Sequence, residues 1–537
     1  MEFDFIVVGA GSAGCVMAER LSADGRYRVA LIEAGGTDRR FFVQMPLGYG
    51  RTFHDARVMW TYRAAPDPGL AGRADYWPRG KVLGGSSSVN AMVWIRGAAE
   101  DFNGWAAQGA KGWSYTDCLP FFKAIEDNRA GADSWRGTGG PLHVSDVADQ
   151  MHPLARAFLQ AAEQAGFSRN PDFNGASQEG VGAYQITTKG GWRMSAARAF
   201  LRPAMGRRNL TVFTETLVRR IVIVDRRVTG VLIGCTGQEH AVIARREVIL
   251  CAGTVNSPQL LQISGIGDPA HLASLCVPLV HACPPVGQNL QDHLGINYTY
   301  RANVRSQNET LRSPLGKLIA GFDLLARGRG PLSLGLNQAG GFVRTRTGLK
   351  WPNIQLYFQA LTTLEARKGS RHLLNPDPFP GFSLGLSSCH PTSRGSVLAA
   401  SSDPDAAPII EPNALATAED RQDMLEGVKL LRRLARQPAL ASVIESELAP
   451  GRGVQSDDDL IADFALRSGT VYHPVGTCRM GTDPDSSVVD PRLRAHGLWG
   501  LRVADASVFP RIISGNTNAP TMMVAAKGAA AILDDNR

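Results

Sequence analysis

The sequence predicts an α/β fold in which separated stretches of chain build one parallel sheet, interleaved with an α+β portion built on an antiparallel sheet. Three observations predict it. An apolar run at the N-terminus ends in a glycine-rich turn, and helical spacing and a second apolar run follow. Motif-bearing stretches (1–150, 209–297 and 468–537) alternate with stretches that lack such motifs (151–208 and 298–467). Within the last of these, "WPNIQLYFQALTT" alternates Ile354, Leu356 and Phe358 with Gln355, Tyr357 and Gln359, as a half-buried antiparallel strand would.

At 537 residues the chain is too long for one ordinary core, so two interleaved domains are expected. Hydrophobic residues at 44% and charged residues at 20% suit a globular protein. The 57 Lys+Arg against 49 Asp+Glu give +8, but the basic residues are scattered, with no long run interleaved with aromatics. That excludes a nucleic-acid face and leaves solvated surface charge.

The eight cysteines include no CxxC pair and no cluster of zinc-ligand spacing, so reduced thiols and no metal are expected. The start, "MEFDFIVVGAG", carries acids where a signal peptide carries positive charge. No apolar segment approaches the roughly 20 residues of a membrane helix. The expectation is a cytoplasmic chain without a membrane span.

Phe3 to Val8 reads as a buried parallel strand, and Cys15 to Leu21 as a helix. In the turn between them, Gly9 permits the tight bend, Gly11 lets backbone N–H groups approach a pyrophosphate, and Gly14 lets the helix pack closely on the strand. The helix N-terminus, with Ser12 and Ala13, then faces the phosphates. A second strand, "RVALIEAGG", carries Glu33 and Ala34 at its end, where the carboxylate is placed to accept from a ribose. A dinucleotide is expected here, and this motif does not choose FAD over NAD.

Two further stretches make that choice. "PRGKVLGGSSSVNAMVWIRG", Pro78 to Gly97, resembles the glycine-rich signature of the glucose-methanol-choline (GMC) flavoprotein oxidoreductases, position by position from Gly80 through Asn90. "AGTVNSPQLLQISGIG", Ala252 to Gly267, is similar to that family's other signature, and "VGQNLQDH", "YHPVGTCRMG" and "LRVADASVFP" extend the likeness over nearly the whole chain.

The resemblance implies a glutathione-reductase-type, Rossmann-like FAD domain under an antiparallel substrate domain, with FAD as cofactor. It carries cofactor contacts onto Gly80, Gly85, Ser86, Asn90, Ala91, Met92, Val93, Val218, Ala252, Asp505, Ala506, Pro520 and Thr521. By their composition, Gly84 to Ser88 form a loop of little bulk with three hydroxyls, suited to lie against the cofactor. Asp505 has the alternative of capping its own turn. Family members that tether the flavin do so through a histidine before the asparagine of this motif. Val89 stands there, so non-covalent FAD is expected.

The resemblance also makes His473 the base that takes the alcohol proton. Taken alone, a histidine between Tyr472 and Pro474 is more often structural. Its partner is aligned with Asn518, shortly before Pro520, with Asn516 two residues upstream as the rival. An amide donates to the substrate oxygen but is no base. Pro520 to Met523 reads as a helix start whose dipole favours a reduced, anionic flavin.

The implied reaction is oxidation of a primary alcohol, with O2 or another electron acceptor closing the cycle. Choline dehydrogenase activity and an FAD-containing hydroxynitrile lyase are the alternatives, and a base histidine speaks against a light-driven decarboxylase. Choline would need a carboxylate and an aromatic cage; Trp60, Tyr62 and Trp94 are available aromatics. "RHLLNPDPFPGFS" reads as an irregular loop at a channel rim, and Glu419 to Leu440 as a packing helix.

Overall fold

The computed structural model describes residues 1–235, 238–364 and 375–537. The N-terminal run forms the strand Glu2–Val8, at the centre of a seven-stranded sheet. Its order is Leu210–Phe213, Val29–Ile32, Glu2–Val8, Gln238–Leu250, Arg227–Cys235 and Val218–Val224. The first four strands run parallel, and Leu501–Val503 joins in parallel beside Gln238–Leu250. The last three form an antiparallel extension.

Val29 to Ile32 and Phe5 to Val8 are all buried, as strands covered on both faces must be. The helices Ser12–Leu21, Gly253–Ile263 and Asn518–Asp535 share one core with this sheet.

The second sheet is antiparallel, in the order Ile444–Ala449, Leu294–Ala302, Gly381–Ser388, Ile354–Gln359, Asn337–Val343 and Gly180–Ala183. The helices Pro153–Gln164, Ala418–Ala435 and Asp457–Arg467 cover one face of it. Met424, Val428, Leu431 and Leu434 of the expected packing helix all point into that core.

Three details differ from the sequence expectations. The strand Ile354–Gln359 is antiparallel but not half-buried, because its polar side is covered too: Gln355, 0% exposed, bonds to Tyr184 and Asn516, and Tyr357, 7% exposed, lines the cavity. Ala196 to Ala204 packs on the first core, while Leu294 to Asn297 belongs to the second sheet, so the chain crosses about a dozen residues before the expected 208/209 and a few before the expected 297/298. The first four residues of the expected rim loop, 371–374, lie outside the described residues, and the rest returns to the second sheet at Gly381.

Candidate active site

Between the two sheets lies a cavity of about 910 Å³. At one end the turn after the first strand is held open by glycine. Gly9 has φ +93, and a Cβ there would sit 2.7 Å from the Cys251 carbonyl oxygen. A Cβ on Gly14 would run into the Gly9 carbonyl, so the helix rests directly on the turn.

The helix Ser12–Leu21 begins at Gly11 with no side-chain cap, leaving its first N–H groups directed at the cavity. A Cβ on Gly85 would lie 2.6 Å from the Gly11 Cα, so the two glycine loops close on one another. Beside them Glu33 accepts from the N–H groups of Ala10 and Gly35, each at 2.8 Å. Burial raises its carboxyl to about 7.

Most cofactor residues expected from sequence line this cavity, among them Ser12, Ala13, Ala34, Gly80, Ser86, Asn90, Ala91, Met92, Val93, Val218, Ala252, Ala506 and Thr521. Gly14 and Pro520 do not; they shape the two helices from behind. Of the three serine hydroxyls only that of Ser86 is at the cavity. Ser87 and Ser88 are buried and donate to the Gly84 and Leu83 carbonyls, which makes the segment a rigid 3₁₀ turn.

Asp505 does cap its turn, accepting from Ser507 N, and it also accepts from Gly253 N and the Ser257 hydroxyl. It reaches the cavity with its lone pairs largely committed.

At the other end stands His473. Tyr472 before it has φ +70, a conformation that costs a non-glycine residue of order 1 kcal/mol or more. Partly buried Asp292 holds it, accepting from the His473 backbone N–H at 2.8 Å and from the Thr470 hydroxyl. Arg79 donates to the Tyr472 carbonyl.

The amide facing His473 is Asn516, with Nδ2 3.0 Å from Nε2. Asn518, the sequence choice, instead accepts from the Ser12 hydroxyl at 2.7 Å through its Oδ1. The reason is local: the C-terminal helix starts at Asn518 with Thr517 as its cap, and residues two apart at a helical turn point to opposite sides.

His473 Nδ1 lies 3.0 Å from Nδ1 of His293, a fully buried residue that sequence reasoning passed over within "VGQNLQDH". The His293 Nε2 faces the Cys389 carbonyl at 3.0 Å.

Two backbone carbonyls set the polarity of this network. A carbonyl only accepts, so His293 carries its proton on Nε2, and neutral His293 presents a lone pair at Nδ1. His473 therefore donates from Nδ1, and its Nε2 is bare. From the other side, Tyr184 donates to the Leu356 carbonyl and accepts from Gln355, whose Nε2 also reaches Asn516 Oδ1 at 3.3 Å. That turns the Asn516 NH2 toward His473.

Burial, with His293 and Arg79 nearby, pushes the His473 imidazole well below its ordinary value. Burial takes His293 down to about 4. Both rings are neutral at neutral pH, so the unprotonated His473 Nε2 accepts from the Asn516 NH2 on the cavity wall.

The GMC oxidoreductase family models match residues 3–295 and 391–525. The chain belongs to the GMC oxidoreductase family. It is 42% identical over 535 residues to an alcohol dehydrogenase [acceptor] of Pseudomonas putida, covering 99% of this chain and 96% of the relative. An oxygen-dependent choline dehydrogenase of Photobacterium profundum is 41% identical, covering 99% and 93%. Among solved structures, pyridoxine 4-oxidase from Mesorbium loti superposes with a TM-score of 0.89 at 33% identity, covering 98% of each chain.

FAD is the cofactor of this fold, named with its solved neighbours, and the residues present fit it. The uncapped N-terminus behind Gly11 suits the pyrophosphate, and Glu33 the ribose hydroxyls. The cavity continues from there to His473 and Asn516. Among the described residues no His, Cys, Asp and Glu cluster could hold a metal, no helix is long and apolar enough to cross a membrane, and Cys15, Cys118, Cys251, Cys276, Cys283, Cys389 and Cys478 are free thiols.

Proposed function

We propose that this GMC oxidoreductase oxidises an uncharged primary alcohol to the aldehyde, with His473 as base and Asn516 as the oxygen-holding donor. The observation that carries the reading is the bare His473 Nε2, 3.0 Å from the Asn516 NH2 and facing the cavity. An alcohol hydroxyl that replaces this bond serves both poles, donating its proton to Nε2 and accepting from Nδ2. His473 takes that proton as the C–H hydrogen leaves the carbon with its electron pair. Bound FAD supplies the acceptor for that hydride. Asn516 steadies the negative charge that grows on the oxygen, a role worth about 100- to 1,000-fold for one donor. The Cys389 carbonyl acts through His293 to keep His473 in the tautomer the step needs.

The cavity favours an uncharged substrate over choline. Its carboxylates among the described residues are Glu33, Asp75 and Asp505, and each already accepts from backbone N–H groups. Arg63, Arg73 and Arg79 line the same space and disfavour a quaternary ammonium, while Arg467 there is ion-paired to Asp463. Of the three aromatics named for a cage, Trp60 reaches the cavity but stacks on Tyr62, and Trp94 is inside the first core. Gln359, Asn337 and Thr299 from the second sheet, with Leu336, Leu361 and the rings of Tyr49, Phe53, Tyr76, Tyr357 and Tyr472, give a mixed lining that takes a neutral alcohol. Val89 at the cavity offers no nucleophile, so FAD is held without a covalent bond, and O2 or another acceptor reoxidises it.

Anaerobic mixing of the holoenzyme with neutral primary alcohols and, separately, with choline tests the reading. Flavin bleaching by a neutral alcohol and not by choline is the expected result. Bleaching by choline alone overturns the substrate class, and cyanohydrin cleavage without bleaching would favour the lyase.

A further inference from the structure

The helix Pro314–Phe322 and the π-helical turn Asp323–Arg327 that continues it present their apolar side chains the wrong way round for a globular protein. Leu315, Leu318, Ile319, Phe322 and Leu325 are 52–70% exposed, while only Ala320 and Leu324 are buried. The exposed five recur at helical spacing and form one stripe, with an area on the order of 600 Å², at the upper end of the patches monomeric proteins carry.

A second group of apolar side chains lies across the Gly328 turn. The backbone at Gly328 touches the hairpin at Gly190, as a Cβ built on Gly328 would lie 2.6 Å from the Gly190 carbonyl oxygen. That hairpin carries Trp192, whose ring packs on Phe41 at 6.0 Å, and Phe41 in turn on Phe42 at 5.4 Å. Phe41 and Phe42 are themselves exposed.

The charges around this face are mostly basic. Arg312 and Lys317 are exposed on the helix segment, Arg39 and Arg40 precede the two phenylalanines, and Arg51 lies over the Phe42 ring. The nearby acids Asp149 and Asp323 are already ion-paired, to Arg329 and Arg327. A symmetric pair of copies meeting through this face would set like charge against like, since an isologous interface brings each patch onto itself. An anionic lipid surface instead meets both features at once: its headgroups attract the basic border, and its interface takes up Leu, Phe and Trp side chains.

We infer that this face docks the protein on the surface of an anionic lipid bilayer, lying in the interface rather than spanning it. The face adjoins the cavity rim. The helix Gln307–Arg312 is tied to Thr362 through Asn308, and the chain there continues into Thr363 and Leu364, which line the cavity. Docking therefore sets the substrate entrance beside the bilayer.

The test is flotation of the holoenzyme with vesicles of phosphatidylcholine alone or mixed with phosphatidylglycerol, at low and high salt. Binding is expected to the anionic vesicles, and to weaken with salt. The double variant Leu318→Asp and Phe322→Asp is expected to lose at least about 10-fold of that binding while keeping its rate on a water-soluble alcohol, because neither side chain touches the cavity. No flotation of the wild type, or equal flotation of the variant, overturns the inference. So does a wild-type dimer that the variant breaks without any change in vesicle binding, which would assign the face to a second copy.

Discussion

Asn516→Leu and Asn518→Ala, two residues apart, separate the catalytic reading from the positional one. Asn516 presents its NH2 to His473 Nε2 at 3.0 Å, and no other amide is hydrogen-bonded to that nitrogen among the described residues. Leucine keeps the bulk and removes the donor. Loss of one donor aimed at a developing oxyanion costs about 2.7–4 kcal/mol, or about 100- to 1,000-fold in rate. Gln355 Nε2 keeps its bond to the Tyr184 hydroxyl, so the cost in stability is that of the two bonds Asn516 makes, to His473 and from Gln355, about 2 kcal/mol.

Asn518→Ala loses the single bond to Ser12, also worth about 1 kcal/mol, and does not touch His473. Its rate should stay within about 10-fold of wild type. The assay is the anaerobic rate of flavin reduction at saturating alcohol, read from the visible absorption band by rapid mixing. A fall of about 100-fold or more in the Asn518 variant, with Asn516→Leu near wild type, would refute the assignment.

Two further outcomes follow from the same geometry. His293 is fully buried and is held at about 4 in the folded protein against 6.5 in the unfolded chain, so between those values the unfolded chain binds a proton that the folded one refuses. Stability is retained at neutral pH and lost as pH falls from 6.5 toward 4, by up to about 3 kcal/mol. His293→Gln should be less stable at pH 7 yet lose less on acidification, as urea midpoints at neutral and acid pH will show; equal losses would contradict the buried, neutral ring. Acid precipitation of the holoenzyme should leave yellow FAD in the supernatant, and colour retained by the pellet would show a covalent bond that Val89 cannot form.

The parts of this molecule that were legible in the sequence are those where local backbone geometry dictates the residue. Gly9 and Gly14 are required by a turn and a close approach, and Glu33 follows at the end of the next strand, so a short window held the information. His473 is different. Its base role rests on a resemblance to a motif, and nothing in its own flanks distinguishes it from a structural ring.

Asn516 could not be separated from Asn518 by spacing, because the answer depends on which side of a helix start each amide leaves. His293 was missed since its partner is 180 residues away in sequence and its function is fixed by a backbone carbonyl at Cys389, which leaves no trace in side-chain identity. Similarly, the alternation of Gln355 and Tyr357 with apolar residues leaves open which side of the strand meets the substrate. Only the stacking of the two sheets turns their side inward.

The most direct measurement is anaerobic mixing of wild type and His473→Ala with a neutral primary alcohol that bleaches the wild-type flavin, followed by dithionite. The account predicts that the variant binds FAD and is bleached fully by dithionite, while its reduction by alcohol is slower by at least about 100-fold, the scale of a lost general base. Reduction by alcohol at a near-wild-type rate would contradict the claim that His473 takes the substrate's proton.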